Sequence, residues 1–79
     1  MYTESAIYRH LQETTEVEVA ITYYLAFLML EELFKERGET ESEAYLEAHN
    51  MREAALERGY YLDSTAMRTV EEKMTTKED

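Results

Sequence analysis

A run of twelve largely apolar residues, 19–30, constrains this chain more than any other feature of its sequence. Thr22 alone interrupts the run, and a bilayer span would need about 20 apolar residues. Acidic residues flank it on both sides, at Glu16, Glu18, Glu31 and Glu32. The run therefore belongs in a protein core or in an interface, and we expect no membrane contact.

The chain is 79 residues long, which allows one small domain. We expect this domain over residues 1–74, followed by a frayed tail, 75–79, without apolar side chains. Because cysteine is absent, the sequence offers no disulfide framework, zinc finger or thiol nucleophile, and this composition fits a cytoplasmic protein. A core this small needs support from close helix packing, from self-association or from a partner.

Two glycines, Gly38 and Gly59, divide the sequence into three segments, and the middle segment has the clearest helical signals. Thr40 and Glu43 have the spacing of a capping box, in which each side chain satisfies the backbone N–H of the other residue. Gly59 follows a cationic last turn and suits the position just after a helix end. These signals predict a helix over 41–58, with an apolar stripe made by Ala44, Ala48, Met51 and Ala55.

The last segment predicts a short helix over 64–75. Asp63 and Ser64 are both suitable N-cap residues, and the two possibilities remain open. The apolar residues that follow recur at helical spacing, at Ala66, Met67, Val70 and Met74.

In the first segment, Thr14 and Thr15 predict a break between a helix at 3–13 and a longer central helix at 17–37. The central helix is apolar all round in its middle, so every side of it must be covered. Two other helices cannot cover it fully, and we expect self-association through its uncovered residues, Ile21, Leu25 and Leu28. Alternation of apolar and polar residues over 16–24 also allows a strand there, although no second strand candidate is present.

These segments predict an all-α domain of three or four helices around a central apolar helix. The sequence shows no catalytic motif, and we expect neither enzymatic activity nor a cofactor. His10 with Glu13 and His49 with Glu53 each share a helix face, but pairs of this kind are expected by chance among 16 glutamates. We therefore expect no metal site.

The spacing from Ala55 through Gly59 to residues 64–68 is similar to that of a helix-turn-helix, with a turn one residue too long. The helix that would enter the major groove carries Glu71 and Glu72. The formal net charge of -10 opposes phosphate binding, which dominates the affinity of proteins for DNA. We expect no direct binding of nucleic acid.

Acidic residues cluster around Gly38 and the start of the middle helix. This acidic end consists of Glu36, Glu39, Glu41, Glu43 and Glu47. Complementary charge speeds association and disfavours wrong partners, so such a surface suits a basic partner protein. We expect an inhibitor or modulator that covers a basic, nucleic-acid-binding surface, with Tyr24 and Tyr45 as aromatic anchors.

Phage anti-defence proteins such as anti-CRISPR factors, transcription inhibitors and antitoxins share this combination of short length and acidity. No motif assigns the chain to any of them. The alternative is a structural homodimer, in which the acidic residues serve only to keep the protein soluble.

Overall fold

The computed structural model describes residues 4–76, and the side chains of residues 6–74. A π-helical turn leads into three α-helices, and no residue within 4–76 belongs to a strand. The elements are the π-helical turn Glu4–Tyr8, α1 Arg9–Glu13, α2 Val17–Glu36 and α3 Glu43–Thr76. The predicted all-α fold is confirmed, and residues 17–24 are helical although they alternate like a strand.

The break between α1 and α2 lies at Thr14, as the pair Thr14 and Thr15 predicts. Thr14 has an extended backbone, with ψ at 147°, and its hydroxyl accepts the backbone N–H of Glu16 at 3.2 Å. Its carbonyl oxygen accepts two hydrogen bonds from the Arg58 guanidinium, at 2.7 and 3.3 Å. The connection is thus fixed both by its own side chain and by α3.

The C-terminus of α2 is closed by Gly38, which has a φ of +71°. The N–H of Gly38 donates to the carbonyl of Lys35 at 3.1 Å, and the N–H of Glu39 donates to that of Phe34 at 2.9 Å. This pair of bonds forms a Schellman motif, which satisfies carbonyls at the helix end and favours glycine in the left-handed conformation.

The N-terminus of α3 differs from the predicted capping box. Ser42, and not Thr40, accepts the backbone N–H of Tyr45 on its hydroxyl oxygen, at 3.1 Å. The same hydroxyl donates to the carbonyl of Glu39 at 3.1 Å. The helix therefore begins two residues later than position 41, because Ser42 satisfies its first turn.

Helix α3 is bent at Asp63, whose φ of -160° and ψ of 91° are not helical. Asp63 accepts the N–H of Ala66 on Oδ1 at 3.2 Å and thereby caps the part of the helix that follows. We call residues 43–62 the first arm of α3 and residues 64–76 its second arm. The second arm includes positions 75 and 76, where we expected fraying, and 77–79 lie outside the described residues.

Gly59 does not end a helix, which corrects the sequence prediction. It lies inside the first arm, is buried, and faces the side chain of Met67 from the second arm. A Cβ atom at position 59 would lie 2.9 Å from the Met67 Cγ and would overlap its Sδ. Glycine leaves room here for the close approach of the Met67 side chain, and helical structure continues to the kink at Asp63.

Helices α2 and α3 pack as an antiparallel pair. Phe34 lies against Tyr45 near the turn, and Thr14 lies against Arg58 at the other end. The core between the helices combines four large side chains with two alanines, which allow the backbones to approach closely. Its buried members are Leu11, Ala20, Tyr24, Met51, Ala55 and Met67.

The domain is flat, with Cα extents of 37 × 34 × 13 Å. A thickness of 13 Å leaves little room for more than two layers of helix, so the outer sides of the helices face solvent. The side of α2 away from α3 is uncovered, and there Met29 and Leu33 are exposed.

Candidate protein-binding surface

The predicted acidic residues lie together at the turn between α2 and α3. Four of them, Glu36, Glu39, Glu41 and Glu43, are exposed, and Glu47 is half-buried one turn further along α3. The Schellman motif and the Ser42 hydrogen bonds fix the backbone that carries these side chains. The acidic end is therefore displayed from an ordered turn.

Among the side chains of residues 6–74, few neutralise this negative charge. Arg37 is the cation of the turn, and its Nε lies 3.9 Å from Glu39 Oε2 with both side chains largely exposed. Exposed pairs of this kind contribute about 0–1 kcal/mol, so the pairing holds the two side chains weakly. The acidic end keeps most of its charge available to a partner.

The two predicted aromatic anchors differ in their accessibility. Tyr45 is half-buried and packs edge-to-face on Phe34, with ring centroids 6.4 Å apart, so part of its ring remains open. Tyr24 is only 3% exposed and belongs to the core between α2 and α3. The prediction of Tyr24 as a partner-binding anchor is corrected, since its ring is already covered within the monomer.

A buried ionic cluster, which the sequence analysis did not identify, joins α2 to α3. The carboxylate of Glu31 is buried, and its Oε1 accepts a hydrogen bond from Arg52 Nε at 2.6 Å. Its Oε2 lies 2.7 Å from His49 Nδ1, which donates when that nitrogen is protonated. One sequence signal was present, because Glu31 is seven residues after Tyr24 and so lies on the same helix face.

The cluster is arranged to hold the helices together, and its carboxylate is already engaged. Arg52 donates to one oxygen of Glu31, and His49 Nδ1 lies 2.7 Å from the other oxygen and 3.2 Å from Arg52 Nη2. Arg52 also donates to Glu53 at 3.3 Å. His49 Nε2 lies 4.0 Å from Glu53 Oε2, on the opposite side of the ring from Glu31. Within the described part of the chain, no three His, Asp or Glu side chains form a group that could hold a metal ion.

Two tyrosines, Tyr24 and Tyr60, have raised pKa values. Burial raises the pKa of the Tyr24 phenol, and the negative charge of Glu71 adds to that rise, while Arg52 opposes it. The Tyr60 hydroxyl donates a hydrogen bond to Glu71 Oε1, and this bond is the main cause of its raised pKa. Both phenols are therefore held in their neutral, donating form.

The residues predicted for self-association, Ile21, Leu25 and Leu28, are half-buried and pack against the monomer core. A different set of apolar side chains on α2 is exposed. We call this set the α2 stripe, and it consists of Ala26, Met29, Leu30 and Leu33, which line a shallow surface groove of about 440 Å³. Periodicity alone could not separate the two sets, because α2 is apolar on both sides.

Comparison with known protein families, with curated proteins and with solved structures gives no match to this chain. Among the described helices, none combines the length and the apolar character that crossing a membrane would require.

Proposed function

We propose that this protein is a non-enzymatic binding protein whose acidic end covers a basic surface of a partner protein. The observation that carries the proposal is the exposure of Glu36, Glu39, Glu41 and Glu43 on one ordered turn. A fixed backbone lowers the entropy that is lost when a charged surface is immobilised on a partner. The acidic end is thus preorganised for binding.

The partner surface that suits this display is one that normally binds nucleic acid. Such surfaces carry Lys and Arg side chains that contact phosphates. Carboxylates on the acidic end would occupy those cations and exclude the nucleic acid, and the complementary charges would speed association. The open part of the Tyr45 ring, in the first turn of α3, would add an apolar contact.

The proposed role is that of an inhibitor or modulator, of the kind found among phage anti-defence proteins, transcription inhibitors and antitoxins. A binding role is favoured over catalysis because the buried carboxylate of Glu31 is already held by Arg52 and His49. Its oxygens are committed to joining the helices. The cytoplasmic location expected from the sequence stays a prediction.

The test compares two triple variants that change the net charge equally. The first replaces Glu39, Glu41 and Glu43 by Lys, and the control replaces Glu13, Glu18 and Glu57, which are also exposed, by Lys. Each triple contains one glutamate from the first turn of a helix, so the two should perturb helix stability similarly. Immobilised wild-type and variant proteins are used to capture partners from lysate at low salt, followed by washes at high salt.

We expect the wild type and the control to retain the same basic, nucleic-acid-binding protein in stoichiometric amount and to release it at high salt. The Glu39/Glu41/Glu43 variant should lose it while its circular dichroism stays helical. Equal capture by all three proteins, or capture that depends only on total charge, would contradict the proposal.

A second candidate function is a structural homodimer, for which the acidic residues serve only to keep the protein soluble. The exposed α2 stripe favours this candidate, because four neighbouring apolar side chains on one helix face are typical of an interface. The two candidates are compatible, since a dimer would display two acidic ends.

A further inference from the structure

The α2 stripe lies on the side of α2 that faces away from α3. Its members are spaced at i, i+3, i+4 and i+7, so they form one face of the helix. At 100° per residue this face is roughly opposite Tyr24 and Glu31, which are buried against α3. The stripe carries no charged residue, and Met29 at its centre is 70% exposed. Nothing within the described residues covers it.

The order of side chains in the stripe is complementary to itself. If two α2 helices pair antiparallel about a twofold axis between positions 29 and 30, Ala26 of one copy faces Leu33 of the other. Met29 then faces Leu30 across the same axis. A small residue lies opposite a large one at both ends of the contact, which lets the two helices interdigitate at close range.

Charge disfavours the parallel orientation. The acidic end follows the C-terminus of α2, and the 20 residues of this helix rise about 30 Å. Antiparallel pairing about the axis between positions 29 and 30 leaves the two Glu36 residues 13 residues apart, about 20 Å along the helices, which exceeds the screening length of about 8 Å at physiological salt. Parallel pairing would bring Glu36 and Glu39 of both copies to the same end, where their charges would repel.

We propose that the α2 stripe is the contact for a second copy of this chain, paired antiparallel so that Ala26 of each copy packs against Leu33 of the other. This inference rests on the second candidate function and replaces Ile21, Leu25 and Leu28 as its contact residues. Four side chains from each copy make a small contact, so the dimer forms reversibly as the protein concentration rises. Its two poles carry the acidic ends.

The pairing is tested by disulfide formation, for which this cysteine-free chain is well suited. Ala26→Cys and Leu33→Cys proteins are oxidised separately and then as a mixture. A disulfide needs Cα atoms about 5.5–6 Å apart, so the mixture should give the 26–33 heterodimer. Each protein alone should stay monomeric on a non-reducing gel, because like positions are about 10 Å apart along the axis.

Efficient oxidation of Ala26→Cys with itself would show parallel pairing and would overturn the proposed register. Failure of the mixture to cross-link, under conditions where both thiols react fully with a small maleimide, would overturn the contact itself. Leu46→Cys serves as the control for random collision, because Leu46 is an exposed leucine on α3 outside the stripe.

The contact is tested independently by measuring mass in solution over a range of concentrations with light scattering. We expect Met29→Glu to raise the dimer Kd at least about tenfold, because it places a charge in an apolar contact. Leu46→Glu should leave the Kd unchanged. Since both side chains are exposed, both variants should keep the helical circular dichroism of the wild type. A wild type that is monomeric throughout, or a dimer weakened by Leu46→Glu only, would refute the proposal.

These measurements need no partner, so their failure is distinct from failure of the acidic-end proposal. The two interactions also respond oppositely to salt. Dimerisation of two chains of formal net charge -10 should strengthen as salt screens their repulsion, whereas binding to a basic partner should weaken. A dimer that dissociates on adding salt would contradict the apolar contact.

Discussion

Arg52 Nε lies 2.6 Å from Glu31 Oε1, so a guanidinium from α3 pairs directly with a buried carboxylate of α2. His49 approaches the other oxygen of the same carboxylate at 2.7 Å. The pair lies about two turns from the ordered acidic end, close enough to hold the two helices in register beneath it. Loss of the Arg52–Glu31 pair should therefore lower the stability of the protein and loosen the backbone that carries the acidic end.

Replacing Arg52 with Ala should lower the free energy of unfolding by about 3 kcal/mol. Removing one partner of a buried ion pair leaves the other charge poorly compensated, and this is far more costly than losing an exposed pair. Lys35→Ala is the matched control, because it breaks the exposed Glu32–Lys35 pair at 3.8 Å and should cost less than about 0.5 kcal/mol. Urea denaturation followed by circular dichroism measures both, and equal midpoints would contradict the assigned burial of the cluster.

Gly59→Ala should destabilise the protein by about 1–2 kcal/mol, although alanine normally favours a helix over glycine by about 1 kcal/mol. The added methyl group would overlap the fully buried side chain of Met67. Shortening that side chain in a Gly59→Ala, Met67→Ala double variant should make the effects of the two substitutions non-additive. A thermal midpoint for Gly59→Ala at or above that of the wild type would show that the arms tolerate the methyl group.

Asp63→Ala should cost about 1 kcal/mol, since it removes the side chain that accepts the N–H of Ala66 at the start of the second arm. Asp63→Asn should retain most of the stability because its amide oxygen can accept the same bond. Ser64→Ala is a control at the neighbouring position. Hydrogen exchange localises the effect, and we expect faster exchange in the second arm with little change in α2.

Stability should decline as pH rises above about 10, the ordinary pKa of a tyrosine. Burial raises the folded-state pKa of Tyr24, and the hydrogen bond to Glu71 raises that of Tyr60. The stabilising contribution is complete below the unfolded-state pKa and is lost as pH rises through the folded-state pKa, because the unfolded chain ionises first.

Urea midpoints measured across this alkaline range, together with tyrosinate absorbance, test the tyrosine prediction. Tyr60→Phe should reduce the alkaline loss of stability, whereas Tyr61→Phe, at an exposed position, should leave its slope unchanged. A slope that is the same in both variants would assign the loss to other groups.

The sequence determined the features that depend on neighbouring residues. Thr14 marks the break before α2 and Gly38 ends that helix, as local propensity predicts, and Asp63 is the one of the two predicted cap residues that caps the second arm. Glycine at positive φ and short polar side chains at helix starts act through their own backbone or that of residues close by. Such signals can therefore be read without knowledge of the fold.

Only the tertiary structure decided which face of each helix is covered. The apolar spacing of α2 allows either Leu25 or Leu30 to face outward, and packing against the core half-buries Leu25 while Leu30 stays exposed. From the sequence, Gly59 is predicted to follow a helix end. In the structure it lies within a helix, against Met67, eight residues later. From the sequence, Glu31 is predicted to be a solvated residue at the border of an apolar run. In the structure it is buried and paired with Arg52 of α3. Contacts between residues far apart in the sequence decide which face is buried. Local periodicity therefore cannot predict it.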